Sequence, residues 1–153
     1  MKSILALAGF LLLSFLAAWV GALYAPGEWY ASLAKPAWNP PNWVFAPVWT
    51  VLYVLIGWSG WLVWRAEGLL TKPLVFAPYF LQLLLNAAWS WLFFGLHQPA
   101  LAFGEIVFLW LAIFATVMVF WRRSRVAALL LLPYLAWVSF AALLNLALWR
   151  LNP

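Results

Sequence analysis

The segment from Trp29 to Tyr53 reads WYASLAKPAWNPPNWVFAPVWTVLY, and its reading decides how the rest of the chain is divided. Pro40 and Pro41 lack a backbone N–H and push their predecessors toward extended geometry, so no helix runs through them. The sequence predicts a loop between two long apolar runs. Yet Trp29, Tyr30, Trp38 and Trp43 carry large rings for which a freely solvated linker has no use. They belong either to an aromatic belt at the level of the lipid headgroups or to a cap folded over a pocket between helices.

Outward from this loop, composition sets the class. Of 153 residues, 69% are hydrophobic and 7% charged, which leaves too little polar surface for a water-soluble domain. The chain reads as a membrane protein. Its net charge of +5 is spread thinly, with no basic face or nucleic-acid motif, so a nucleic-acid partner is not expected and the charge is assigned to topology. With no cysteine and a single histidine, the sequence holds no disulfide framework, thiol nucleophile or histidine-built metal centre.

Five apolar runs are long enough to cross the bilayer, at ~1.5 Å per residue against a ~30 Å core: approximately 4–24, 43–64, 74–96, 101–121 and 126–149. The first is expected to stay as a span, because Lys2 is a weak n-region and Trp19 and Tyr24 do not resemble a small-residue cleavage site. In it, Ala17 and Gly21, like Ala18 and Ala22, set small residues one turn apart, for packing or for a ligand's approach. The second places Pro47 in its first turn, where the missing N–H costs little, and aligns Trp49, Tyr53 and Gly57 on one face. On the third, Gln82, Asn86 and Ser90 make a polar stripe that must face protein or a wet cavity, as interhelical glue or as a pocket wall. Glu105 on the fourth is expected about one turn from the helix start, near the interface and the positive end of the helix dipole. Trp137, Ala141 and Asn145 repeat the spacing of four on the fifth. That face suits either a pocket or helix packing.

An odd number of spans puts Lys2, Arg65, Lys72, Arg122, Arg123 and Arg125 on one side and leaves Lys35 and Arg150 on the other. The positive-inside rule then predicts a cytoplasmic N-terminus, with the Trp-Pro loop on the far side.

Six separated motifs now carry a resemblance. The runs Trp29-Tyr30, Lys35 to Pro41 (KPAWNPP), Pro47-Val48-Trp49, Asn86 to Trp89 (NAAW), Phe93-Phe94-Gly95 and Pro133 to Trp137 (PYLAW) look like the signature of the translocator protein family. This is the TspO/MBR family of bacterial tryptophan-rich sensory proteins and the peripheral-type benzodiazepine receptor. The resemblance covers all five spans. It implies an all-α, five-transmembrane-helix bundle over the whole chain, whose first loop caps a pocket, often in a homodimer and, for bacterial members, in the cell envelope. It implies binding of porphyrins, protoporphyrin IX or haem, as ligands rather than obligate cofactors, and of benzodiazepine- and isoquinoline-type ligands. The binding positions it implies are Gly21 on the first helix, Tyr30, Trp38 and Pro41 in the loop, and Trp49 and Tyr53 on the second. The third helix supplies Asn86, Trp89 and Ser90, and the fifth Trp137, Ala141, Leu144 and Asn145. The family's sterol motif needs a tyrosine where this chain has Leu146, shortly before Arg150, so sterol recognition through that motif is not expected.

Three function classes follow. The first is a receptor, sensor or transporter-like protein that binds porphyrin-like ligands. The second is a porphyrin-degrading enzyme, for which the family implicates the positions of Trp49 and Trp137; no acid–base pair or activated nucleophile accompanies them, so the chemistry would have to come from a redox-active or photoexcited ring. The third is a channel or secondary transporter, of porphyrin or sterol, which normally shows inverted repeats, broken helices and several midplane charges that this sequence lacks. No axial ligand set is evident, so a metal-free ring is expected and no metal site is predicted.

Overall fold

A computed structural model describes residues 2–68 and 72–153. The polar loop expected over Glu67 to Lys72 lies partly outside the described residues. Long helices α1 (Lys2–Ala22), α3 (Phe45–Glu67), α4 (Pro73–Ser90), α5 (Pro99–Trp121) and α7 (Leu132–Leu151) are joined by short helices α2 (Glu28–Ser32) and α6 (Arg125–Leu130). A 3₁₀ turn at Asn42–Val44 leads into α3, and a π turn at Trp91–Gly95 extends α4. Five stretches are long and apolar enough to cross a membrane: Lys2–Ala22, Asn42–Glu67, Pro73–Gly95, Pro99–Trp121 and Arg125–Leu151. Among the described residues there is no strand, so the molecule is an all-α, multi-pass membrane bundle.

Two features differ from the sequence reading. The fifth span is not one helix, because α6 and α7 meet at Leu131. Pro133 explains the break: it lacks the N–H an unbroken helix needs, but falls in the first turn of α7, where that N–H has no role. The loop is also less irregular than expected, since Trp29 and Tyr30 stand on α2, a short helix between Pro26 and Pro36.

The half of the bundle that holds the N-terminus is solid. Phe76, Tyr79 and Phe120 are fully buried, with Tyr79 and Phe120 stacked at 5.7 Å. Lipid tails are as apolar as these rings, so the core is held by close packing rather than by escape from water. Two glycines bring α1 against α3. A Cβ on Gly57 would stand 3.0 Å from the Leu11 backbone, and one on Gly60 would stand 2.8 Å from the Phe10 ring of α1 and 2.7 Å from the Tyr79 ring of α4. Hydroxyls fasten the same half: Ser14 donates to the Tyr53 carbonyl at 2.9 Å and Ser59 to the Ala127 carbonyl at 2.7 Å. At its outer end Glu67 pairs with Lys72 at 2.6 Å and with Arg123 at 3.2 Å, and the Trp61 indole donates to the Ser3 carbonyl at 2.9 Å. The other half is hollow.

Candidate functional site

Between α1, α3, α4, α5 and α7, under the loop, lies a cavity of about 820 Å³. Its walls follow from the spacing of four: Trp49 and Tyr53 come from α3, Asn86 and Ser90 from α4, and Trp137, Ala141 and Asn145 from α7. Gly21, Tyr30, Trp89 and Leu144 join them. Trp49 stacks on Tyr53 at 5.4 Å, Trp89 on Phe93 at 5.0 Å, and Phe45 meets Trp137 edge-on at 5.9 Å. The walls are therefore flat aromatic faces held by other rings.

The amides in these walls are already engaged. Asn86 accepts from the Tyr53 hydroxyl and donates to the Tyr134 oxygen at 3.0 Å, tying α3, α4 and α7 together. Asn145 accepts from the Trp89 indole at 3.0 Å and donates to the Pro99 carbonyl at 2.8 Å. Both are wall and interhelical glue at once. Polar groups that remain for an occupant include the Ser90 hydroxyl and the indole N–H groups of Trp49 and Trp137, none of which has a protein partner among the described residues. A Cβ on Gly21 would stand 3.1 Å from the Ser90 oxygen, so the glycine keeps that hydroxyl accessible.

The cover is tied at several points. Asn152, just past α7, accepts from the Ala34 N–H at 2.9 Å and donates to the Ala34 carbonyl at 3.0 Å. Lys35 caps α2, donating to the carbonyls of Tyr30 at 2.6 Å, Leu33 at 3.1 Å and Ala31 at 3.2 Å. Tyr30 is buried and donates to Asn39 at 3.3 Å; burial raises its phenol above the ordinary value, and the Asn39 bond partly offsets the rise. Trp29 stacks on His97 at 4.3 Å. His97 holds a left-handed φ of 54° in the turn between the π segment and α5, a conformation uncommon for a residue with a Cβ.

Other residues marked by the sequence lie elsewhere. Trp38 and Pro41 are not among the cavity's walls. The turn closed by Asn39 N–H on the Pro36 carbonyl at 2.9 Å sends Trp38 to the outer face of α7, where it meets Phe140 at 5.8 Å. There it borders a shallow outer groove with Leu143, Leu146, Ala147 and Arg150. Trp43 stays 75% exposed, the disposition of a belt residue rather than a cap. Gln82 is buried below the cavity, and neither end of its amide has a partner among the described residues. Glu105 corrects the interface reading: α5 begins at Pro99, so Glu105 is beyond the first turn, and both carboxylate oxygens are buried without a hydrogen-bond partner among the described residues.

The sequence reading missed Phe45, Phe93, Phe94, Ile106, Leu109, Val138 and Leu148 as cavity walls. Phe93 follows Trp89 by four residues and Leu148 follows Leu144 by four, so extending the same periodicity would have reached them. Ile106 and Leu109 lie on a helix so uniformly apolar that no face stands out.

Fold and cavity together define a five-helix membrane protein with a capped aromatic cavity. Residues 10–150 match the TspO/MBR family. The chain is 41% identical over 159 residues to the tryptophan-rich protein TspO of Chlorobaculum tepidum, an alignment covering 99% of each. It is 42% identical over 149 residues to the translocator protein of Bos taurus, covering 94% of this chain and 88% of that one. It is 42% identical over 137 residues to protein CrtK of Rhodobacter capsulatus, covering 87% and 84%. The chain belongs to the TspO/MBR family.

Proposed function

We propose that this protein is a membrane receptor or sensor whose cavity takes a flat, amphipathic, largely apolar ligand of the porphyrin class, with isoquinoline- and benzodiazepine-type molecules as competitors. The observation that carries the reading is the wall of stacked rings around about 820 Å³, a volume within the ~300–1,000 Å³ of small-molecule sites. A macrocycle stacks on indoles through its face, and its edge finds donors at Ser90, Trp49 and Trp137. A metal-free ring suits the walls, since among the described residues no His, Cys or Met lines them and His97 stacks on Trp29. A relative from Cereibacter sphaeroides, 40% identical over 147 residues, is named a tryptophan-rich sensory protein, in keeping with a sensing role. A homodimer is part of this proposal and is read from the mass of the reconstituted particle.

Protoporphyrin IX titrated into the protein in lipid nanodiscs should quench tryptophan fluorescence saturably, and an isoquinoline competitor should restore it. Trp137→Phe keeps a ring but shortens the stacking platform, and should weaken binding roughly two- to twelvefold, the equivalent of ~0.5–1.5 kcal/mol. Trp121→Phe, at the far end of α5, should leave affinity unchanged. Equal effects from both substitutions would remove the cavity from the reading. Trp49 and Trp137 both face the cavity, so a second reading is that a bound ring is consumed photo-oxidatively. Loss of porphyrin absorbance that requires light, oxygen and Trp49 or Trp137 would support it.

A further inference from the structure

The residues that line the cavity and are also exposed lie on only one side of it. On the α1 side they are Phe15, Trp19, Ala22, Ala25 and Pro26, and on the α3 side Asn42, Ala46 and Thr50. Every wall residue from α4, α5, α7 and the π turn is buried or half-buried. The opening is thus a slot between α1 and α3. It runs from Ala25 and Asn42, just outside the ends of α1 and α3, down to Phe15, which lies roughly 10 Å below Ala22 at ~1.5 Å per residue, and so reaches hydrocarbon depth.

Contacts on either side of the slot fix its extent. Below it, Gly57 and Gly60 let α1 lie directly on α3, and Ser14 bonds the Tyr53 carbonyl at 2.9 Å, so the two helices are zipped shut. Above, the loop is held down by the Asn152 clamp on Ala34, the Lys35 cap and the Trp29–His97 stack. The rim itself suits lipid: Ala22, Ala25 and Ala46 are small, and the Thr50 hydroxyl is spent on the Ala46 carbonyl at 2.8 Å.

We infer that the cavity exchanges its occupant with the bilayer, sideways between α1 and α3, rather than with water through the capped end. The ligand is accordingly a membrane-dissolved amphiphile. This rests on the cavity being a ligand site, so the test has one arm that needs no porphyrin.

In nanodiscs, stopped-flow quenching by protoporphyrin IX gives association and dissociation rates. Thr50→Trp, or Ala46→Trp from the next turn, fills the slot and should slow both rates about tenfold, with their ratio changing far less. Asn152→Ala loosens the cover and should change the rates less than about twofold. Fast exchange in both slot variants, or acceleration by Asn152→Ala alone, would overturn the inference. For the ligand-free arm, Ala141→Cys places a lone thiol on the cavity wall of a chain without cysteine. A lipid-dissolved maleimide should label it faster than a charged, water-soluble one, and Thr50→Trp should suppress the lipid route. Preferential labelling from water would refute the slot. Labelling from lipid in a protein that does not bind protoporphyrin saturably would sustain the slot and remove the porphyrin reading.

Discussion

At the scale of single residues, Asn86 and Gly57 show how little of a side chain's role its position alone declares. Asn86→Leu removes an acceptor from Tyr53 and a donor to Tyr134 and strands two phenols in the bundle interior. Leaving such groups unpaired costs ~1–3 kcal/mol, so the variant should show a lower thermal midpoint, with any loss of ligand affinity following from the disturbed wall. A full loss of binding at unchanged stability would mean that the amide serves the ligand alone. Gly57→Ala drives a methyl to within 3.0 Å of the Leu11 backbone, which cannot rotate away, and should destabilise by ~1–3 kcal/mol in detergent unfolding. The sequence placed Asn86 and Gly57 on useful faces through the spacing of four. It did not show that both ends of the Asn86 amide are bonded inside the protein, because that depends on Tyr134, 48 residues away in the chain.

Among the elements, the cover is the least regular and the most tethered. Asn152→Ala removes the two bonds that hold the Ala34 peptide while leaving the Lys35 cap intact. Hydrogen exchange should therefore rise at Ala34 and across Trp38 to Asn39, with α3 and α4 unaffected. Uniform exchange across the bundle would show that Asn152 acts on overall folding instead. The long helices were legible from length and apolarity alone, and the cavity faces of α3, α4 and α7 from their polar and aromatic periodicity. The break at Leu131 and the helical turn at Trp29 were not. Pro133 is compatible both with a kink inside a helix and with the start of a new one, and only packing selects between them. Where Trp38 lies was not legible for a related reason: prolines exclude a helix without stating which way the chain turns.

For the molecule as a whole, the structure gathers Lys2, Arg65, Lys72, Arg122, Arg123 and Arg125 at the solid end and leaves Lys35 and Arg150 at the hollow end. Insertion by the positive-inside rule should put the solid end in the cytoplasm. Single cysteines at Ala34 and Ser124 should label from opposite faces of sealed vesicles, and labelling from the same face would rule out this topology. The break between α6 and α7 has a mechanical consequence at this scale. Ser59 pins α6 through the Ala127 carbonyl, whereas the uninterrupted α7 carries Trp137, Ala141, Leu144 and Asn145 along one wall and leads directly to Asn152. Wall and latch thus form a single lever with its fulcrum at Leu131. Any tilt that widens the chamber also pulls on the Ala34 peptide, so the cavity cannot swell around a larger guest without tugging at its own roof.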